Sequence, residues 1–224
     1  MNKIEVVNLS HFYQDGMQLK KVLDNVSCSF ESGKFYSILG QSGSGKTTLL
    51  SLLSGLDTIE EGDILYNGES IKKIGYNKYR NSYVNIIFQS YNLIPYMTAY
   101  ENVEVALDIA GIKLSKEDKK EKILSTLNEL GIDNSAAFRT VLKLSGGEQQ
   151  RVAIARCLVT DIPFIMADEP TGNLDEDTEK KIIDIFKKLA KQGKGVIVVT
   201  HSKEVANNSD IIYHIKDQLY ISQV

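Results

Sequence analysis

Residues 35–53 read Phe35-Tyr36-Ser37-Ile38-Leu39-Gly40-Gln41-Ser42-Gly43-Ser44-Gly45-Lys46-Thr47-Thr48-Leu49-Leu50-Ser51-Leu52-Leu53. An apolar β-type run passes into a Gly/Ser-rich loop and then into a helical run at Leu49–Leu53. The loop obeys the pattern G-x-x-x-x-G-K-T, in the strand–loop–helix setting the pattern requires. Small residues at Gly40, Ser42, Gly43, Ser44 and Gly45 let successive backbone N–H groups turn inward around a β-phosphate, and the helix start adds its positive end. Lys46 is placed to neutralise β- and γ-phosphates and the Thr47 hydroxyl to ligate Mg²⁺, with Thr48 completing the run of nucleotide-contacting residues. A surface turn that matched by accident would have no reason to be flanked by both a strand and a helix.

Two further runs gain meaning from this loop. Pro163-Phe164-Ile165-Met166-Ala167-Asp168-Glu169 is an apolar strand ending in two acids, at the carboxyl edge where parallel sheets place ligands. Alone, such a pair is an ordinary solvated turn. Beside a phosphate loop, Asp168 is suited to hold Mg²⁺ and Glu169 to polarise an attacking water. Leu144-Ser145-Gly146-Gly147-Glu148-Gln149-Gln150-Arg151 has capping-box spacing between Ser145 and Glu148. It predicts a helix start whose N–H groups and dipole point at an anion. The chain already has its own phosphate cradle, so a second anion-directed helix start implies a second partner.

Outward from these runs, Ile4–Leu9 and Val22–Phe30 read as strands, with turn signals at Asp15-Gly16 and Ser32-Gly33. Asn67-Gly68 between Ile64-Leu65-Tyr66 and Ser70-Ile71 reads as a tight hairpin. From Met97 to Thr160 the pattern is helical, with capping-box spacings at Thr98/Glu101 and Ser115/Asp118. Ile182, Ile185, Phe186 and Leu189 share a helix face, and Gly195–Thr200 is a buried strand. Strands alternating with helices argue for a parallel sheet with crossover helices.

The 224 residues, 42% hydrophobic, suffice for one substantial core. A net charge of −3 provides no basic field, so nucleic acid is not expected as a partner. No apolar run reaches the roughly 18 residues a spanning helix needs, and Met1-Asn2-Lys3-Ile4-Glu5 lacks a signal-peptide layout. A soluble chain that stays where it is made is expected. Cys28 and Cys157 show no metal-ligand or CxxC spacing and are read as reduced, packed thiols. His11 and His214 fall in no motif and are read as structural or surface residues.

Leu144–Arg151 resembles the signature of the ABC ATPase superfamily, and the resemblance covers essentially the whole chain. It implies an α/β P-loop NTPase core with an N-terminal antiparallel β subdomain and an inserted α-helical subdomain. Residues 1–224 would form one ABC ATPase domain, with 1–88 and 160–224 as the nucleotide-binding core and 89–159 as the helical subdomain carrying the signature. ATP and Mg²⁺ are the implied cofactors. Two copies would close head to tail, each site joining the Lys46 loop of one chain to Ser145, Gly146 and Gly147 of the other.

Several residues take roles only from this resemblance. Tyr13, in Leu9-Ser10-His11-Phe12-Tyr13, resembles the aromatic that stacks on adenine, with Phe12 as the alternative and core packing open for both. Gln89 resembles the glutamine that touches Mg²⁺ or the attacking water and senses a membrane partner. His201 resembles the switch histidine of the γ-phosphate. Asp175 resembles an acid that communicates across the dimer, and is locally also a plain helix cap. Glu169, His201, Gln89 and Lys46 form the expected catalytic set, and Thr47, Gln89 and Asp168 the expected metal set. The chain departs from the family at Val141-Leu142-Lys143, where a proline is usual, and at Lys216-Asp217-Gln218, where an Asp-Gly turn is usual.

The runs Gly172–Asp175, Gly55-Leu56-Asp57 and Gln89–Thr98 are similar to those of the macrolide-exporter and lipoprotein-releasing ATPases. This implies a cytoplasmic subunit, peripheral on the inner face of the plasma membrane, that drives a separate integral membrane permease, with an adaptor protein as a further partner. Ser90–Thr98 is read either as the groove for the permease's coupling helix or as core of the helical lobe. The alternatives are a soluble non-transport ABC ATPase of DNA repair or translation, which usually carries long coiled coils or tandem cassettes, and a module that binds ATP without hydrolysing it. Glu169 and His201 argue against the latter.

Overall fold

Ile165 and Ala167 pack into one hydrophobic cluster while Phe164 and Met166 pack into another, and Val196 and Val198 part in the same way from Ile197 and Val199. Side chains alternate across a strand, so strands apolar at every position must be covered on both faces. That requirement generates the layers of the molecule. The structure, a computed structural model, describes residues 1–15, 18–172 and 174–215. Gly16 of the expected Asp15-Gly16 turn, Asn173 of the Gly172–Asp175 run and the Lys216-Asp217-Gln218 departure lie outside the described residues.

The first half of the chain forms β1 (Lys3–Asp15), β2 (Gln18–Glu31), β3 (Phe35–Gly40), α1 (Lys46–Leu53), β4 (Glu61–Tyr66), β5 (Glu69–Ser70), α2 (Ile71–Ile74), α3 (Tyr76–Ser82) and β6 (Val84–Ile87). The second half forms α4 (Ala99–Ile109), α5 (Lys116–Glu129), α6 (Asn134–Ala137), a 3₁₀ turn (Val141–Lys143), α7 (Gly146–Leu158), β7 (Phe164–Asp168), α8 (Glu176–Lys191), β8 (Gly195–Thr200), α9 (Lys203–Asn207) and β9 (Ile211–Ile215). A parallel sheet runs in the order β6-β7-β8-β3-β9, and an antiparallel sheet in the order β2-β1-β4-β5. One face of the parallel sheet packs with α4, α5, α7 and α8, and the other with α1 and the antiparallel sheet.

Asn67 and Gly68 close the β4–β5 hairpin with φ of 51° and 83°. Two successive left-handed residues make the turn whose twist matches the strands it joins. Ile71, expected in the returning strand, instead begins α2, because the Ser70 side chain accepts from Lys72 N and caps a helix there. β1 runs past the expected Leu9 to Asp15: Asn8 adopts φ 47° where the register with β2 shifts between Val6 and Leu9. This bulge breaks the alternation that the sequence pattern would have to carry through.

The capping boxes at Thr98/Glu101 and Ser145/Glu148 form in full, with each glutamate accepting from the backbone N–H of its cap residue at 2.7 Å. At Ser115 only half of the expected box is made. Ser115 Oγ accepts from Asp118 N at 3.1 Å, but the Asp118 carboxylate takes the Ser115 hydroxyl rather than its backbone N–H. Aspartate is one methylene shorter than the glutamate the motif uses. Both cysteines are free, and burial pushes the Cys157 thiol up to about 12. No helix among the described residues is long and apolar enough to cross a membrane.

Candidate nucleotide-binding site

In the parallel sheet β6, β7, β8 and β3 are neighbours, so their carboxyl ends lie side by side. Each end delivers one expected residue or group: Gln89 after β6, Asp168 and Glu169 at β7, His201 after β8, and the Gly40–Lys46 loop after β3. A cleft of about 750 Å³ opens there, lined by Tyr13, Ser42, Gly43, Gly45, Lys46, Thr47, Thr48, Gln89, Asp168, Glu169 and His201, together with Val22 and Gln41. The last two were not anticipated. Gln41 occupies a variable position of the loop pattern, and Val22 comes from a separate sheet.

The loop's conformation explains its small residues. Gly45 caps α1 at φ 92°, a backbone region that strains residues with a Cβ. A Cβ on Gly40 would stand 2.5 Å from Ser44 Oγ and 2.8 Å from the Ile215 carbonyl oxygen, so glycine there lets the loop lie against β9. Gly40 and Ser44 do not line the cleft; they shape it from behind. Lys46 is 8% exposed, and its Nζ donates to the carbonyls of Gly40 and Gln41 at 2.8 and 2.9 Å. These bonds satisfy a buried ammonium and hold it across the loop.

Opposite Lys46, Thr47 Oγ1 donates to Asp168 Oδ1 at 3.4 Å. Burial pushes the Asp168 carboxyl above the usual aspartate range, the Glu169 charge adds to this, and the Thr47 hydrogen bond and Lys46 oppose it. Glu169 sits at φ 45°, left-handed for a residue with a side chain, while its backbone N donates to Val199 O at 2.9 Å. Such strain is held where the surroundings over-determine it. Its Oε2 accepts from Thr200 Oγ1 at 3.1 Å and from His201 N at 3.3 Å, and His201 Nδ1 lies 2.9 Å from Oε1.

Tyr13, not Phe12, reaches the cleft, because neighbouring strand residues face opposite ways. Tyr13 is 44% exposed, its ring stands edge-on to His11 with centroids 4.8 Å apart, and its hydroxyl accepts from Thr48 Oγ1 at 3.4 Å. Phe12 instead lies beneath the Lys21 ammonium. His11 is buried, with Nε2 3.7 Å from Asp57 Oδ2.

Ser145, Gly146, Gly147 and Asp175 are not brought into this cleft. Ser145 caps α7, and bonds from Ser145 hold the Glu148 carboxyl below the usual range. A Cβ on Gly147 would fall 2.6 Å from the Thr178 side chain, so the start of α7 abuts the start of α8. Asp175 caps α8 by accepting from Thr178 N at 3.0 Å and from Thr178 Oγ1 at 2.7 Å, which lowers its pKa. The segment after Gln89 is held by Arg156 of α7, which donates to the carbonyls of Asn92 and Tyr91 at 2.6 and 3.1 Å. Tyr91 and Leu93 pack on the core, while Tyr96 is 79% exposed. Beside this segment a groove of about 280 Å³ is lined by Ile86, Ile94, Val105, Ile109 and Arg156 among others.

A phosphate loop, an acid pair and a histidine gathered at one parallel-sheet edge define a nucleoside-triphosphatase of the P-loop class. Residues 23–172 match the family described as ABC transporter. The chain is 49% identical over 213 residues to the ABC transporter ATP-binding protein YclH of Bacillus subtilis, covering 94% of this chain and 92% of the relative. It is 37% identical over 222 residues to the macrolide export ATP-binding/permease protein MacB of Hyphomonas neptunium, covering 98% of this chain but 34% of that protein. The dimeric post-hydrolysis structure of the cassette MJ0796 of Methanocaldococcus jannaschii, bound to ADP and Pi, superposes with a TM-score of 0.90 at 35% identity, covering 99% of this chain and 97% of the other. The chain belongs to the ABC transporter family, as an ATP-binding and ATP-hydrolysing subunit.

Proposed function

We propose that two copies of this chain close head to tail around two ATP molecules and drive a separate integral membrane permease from the cytoplasmic face of the membrane. The observation that carries this reading is that Ser145, Gly146 and Gly147 form a capped helix start outside their own chain's cleft. Such a start finds its anion in a second copy. The dimeric MJ0796 structure supports the pairing of two copies. Within it, residues 1–88 and 160–224 act as the nucleotide-binding core and 89–159 as the helical subdomain.

In each site Tyr13 stacks on the adenine, and the loop from Gly40 to Thr48 holds the phosphates with Lys46 as their counter-charge. The oxygen donors of Thr47, Asp168 and Gln89 suit a hard cation, and Mg²⁺ held there neutralises phosphate charge. A cation beside Asp168 also favours its charged form against the burial that opposes it. Glu169 takes the proton of the attacking water. His201 orients the γ-phosphate from the neighbouring strand end. Asp175 faces the partner copy. Gln89 relays the state of the site to the segment Ser90–Thr98 and to the groove beside it, where a permease helix docks.

Likeness to the macrolide export protein MacB supports export as the work performed; mechanotransmission as the alternative and an adaptor as a further partner belong to the same proposal. The deciding experiment compares wild type with Glu169→Gln. Loss of the base is expected to slow turnover about 10²-fold or more with ATP affinity retained, and the variant accumulates as an ATP-bound dimer by light scattering. A Gln variant that turns over at the wild-type rate, or stays monomeric with ATP, removes the basis for this reading.

A further inference from the structure

Glu179 belongs to none of the runs that carry the site, yet one of its carboxylate oxygens joins two of the site's loops. Thr171 Oγ1 donates to Glu179 Oε1 at 3.0 Å, and Ser202 Oγ donates to the same oxygen at 2.8 Å. Thr171 lies on the loop after β7, two residues beyond Glu169. Ser202 follows His201 on the loop after β8. These are the loops whose side chains meet, with His201 Nδ1 2.9 Å from Glu169 Oε1.

The connection continues inward. Ser202 N donates to Thr200 Oγ1 at 3.0 Å, and Thr200 Oγ1 donates to Glu169 Oε2 at 3.1 Å. Outward, Glu179 is fixed in the first turn of α8, where its N donates to Asp175 O at 2.8 Å. Among the described residues no lysine or arginine pairs with Glu179 within ion-pair distance, and Thr171 is 5% exposed. Glu179 is half-buried, and its Oε1 is turned onto two hydroxyls rather than onto a cation. Glu179 does not line the nucleotide cleft.

We propose that Glu179 is a positioning residue that sets the spacing between the Glu169 loop and the His201 loop, so that turnover depends on it and ATP binding does not. This rests on the reading of Glu169 and His201 as the reacting pair. A glutamine at this position keeps a carbonyl oxygen able to accept both hydroxyls, whereas leucine leaves Thr171 and Ser202 without their acceptor. Glu179→Leu is expected to lower kcat roughly ten- to hundredfold, the scale of a small misplacement near a reacting centre, with ATP affinity unchanged. Glu179→Gln stays near wild type. Thr171→Val added to Glu179→Leu costs nothing further, because the two residues act as one unit.

A readout independent of turnover is the imidazole NMR signal of His201, assigned with His201→Gln. It moves in Glu179→Leu and not in Glu179→Gln. If Glu179→Leu fails to fold, Thr171→Val alone carries the same expectation for kcat and for the His201 signal. The proposal is overturned by wild-type kcat in the leucine variant, by a loss that falls on ATP affinity, by a Gln variant as slow as Leu, or by an unmoved His201 signal. Glu169→Gln measured alongside separates the two readings: if it keeps wild-type turnover the base assignment fails, while the His201 signal still decides the part played by Glu179.

Discussion

Gly195 opens β8 against the ring of Phe164, and a Cβ built there would lie 2.3 Å from the ring carbons Cδ1 and Cε1. Phe164 is fully buried and cannot swing aside. Gly195→Ala is therefore expected to destabilise the fold by about 1–3 kcal/mol, the cost of overpacking a filled core, read as a lower denaturant midpoint with ATP affinity little changed. The identity of this glycine is silent in the sequence because its constraint comes from a residue 31 positions away. Tyr13 shows the same limit from the other side. The sequence leaves Tyr13 and Phe12 open, and only the side of the strand that faces the Lys46 loop separates them. Lys46 was readable from the G-x-x-x-x-G-K-T pattern, and Asp168 and Glu169 from a strand end in a chain that carries that loop, whereas His201 drew its expected role from the family resemblance alone.

At the level of elements, helix starts carried the most readable information, since a cap is a contact between residues three apart. Thr98 and Ser145 form their boxes because glutamate reaches back to the cap N–H, and Ser115 does not because aspartate falls short. Asp175 adds a pH dependence to α8. The Thr178 hydroxyl and backbone N–H hold its carboxyl below the usual aspartate range. A group whose folded pKa is depressed contributes stability that is fully present above its unfolded pKa, about 3.9, and is lost as pH falls through the lowered folded value. Asparagine caps equally well without titrating. Asp175→Asn is thus expected to match wild type in thermal midpoint near neutral pH and to lose less than wild type on acidification below pH about 4. Equal losses in the two proteins would show that the cap charge makes no contribution. Strand lengths were the least legible feature at this scale, because the Asn8 bulge resets the alternation of β1 midway.

Across the whole molecule, the apolar runs of β7 and β8 announced a sheet covered on both faces, and the two core clusters are that coverage. What the runs could not announce is the order β6-β7-β8-β3-β9, which brings four loops to one edge. The same order leaves the start of α7 elsewhere, against α8, so the two features proposed to bind phosphate do not meet within one chain. If they meet between copies, defects in the two features must complement. Lys46→Ala removes the phosphate counter-charge and leaves the α7 start intact, while Ser145→Arg blocks the α7 start and leaves the cradle intact. Each variant alone is expected to lack turnover. Mixed, they form heterodimers in which the intact cradle of one chain faces the intact α7 start of the other, and ATPase activity returns in proportion to heterodimer formed. A site complete within one chain allows no such recovery, because the Ser145→Arg chain would then need nothing from its partner and the Lys46→Ala chain would gain nothing by mixing.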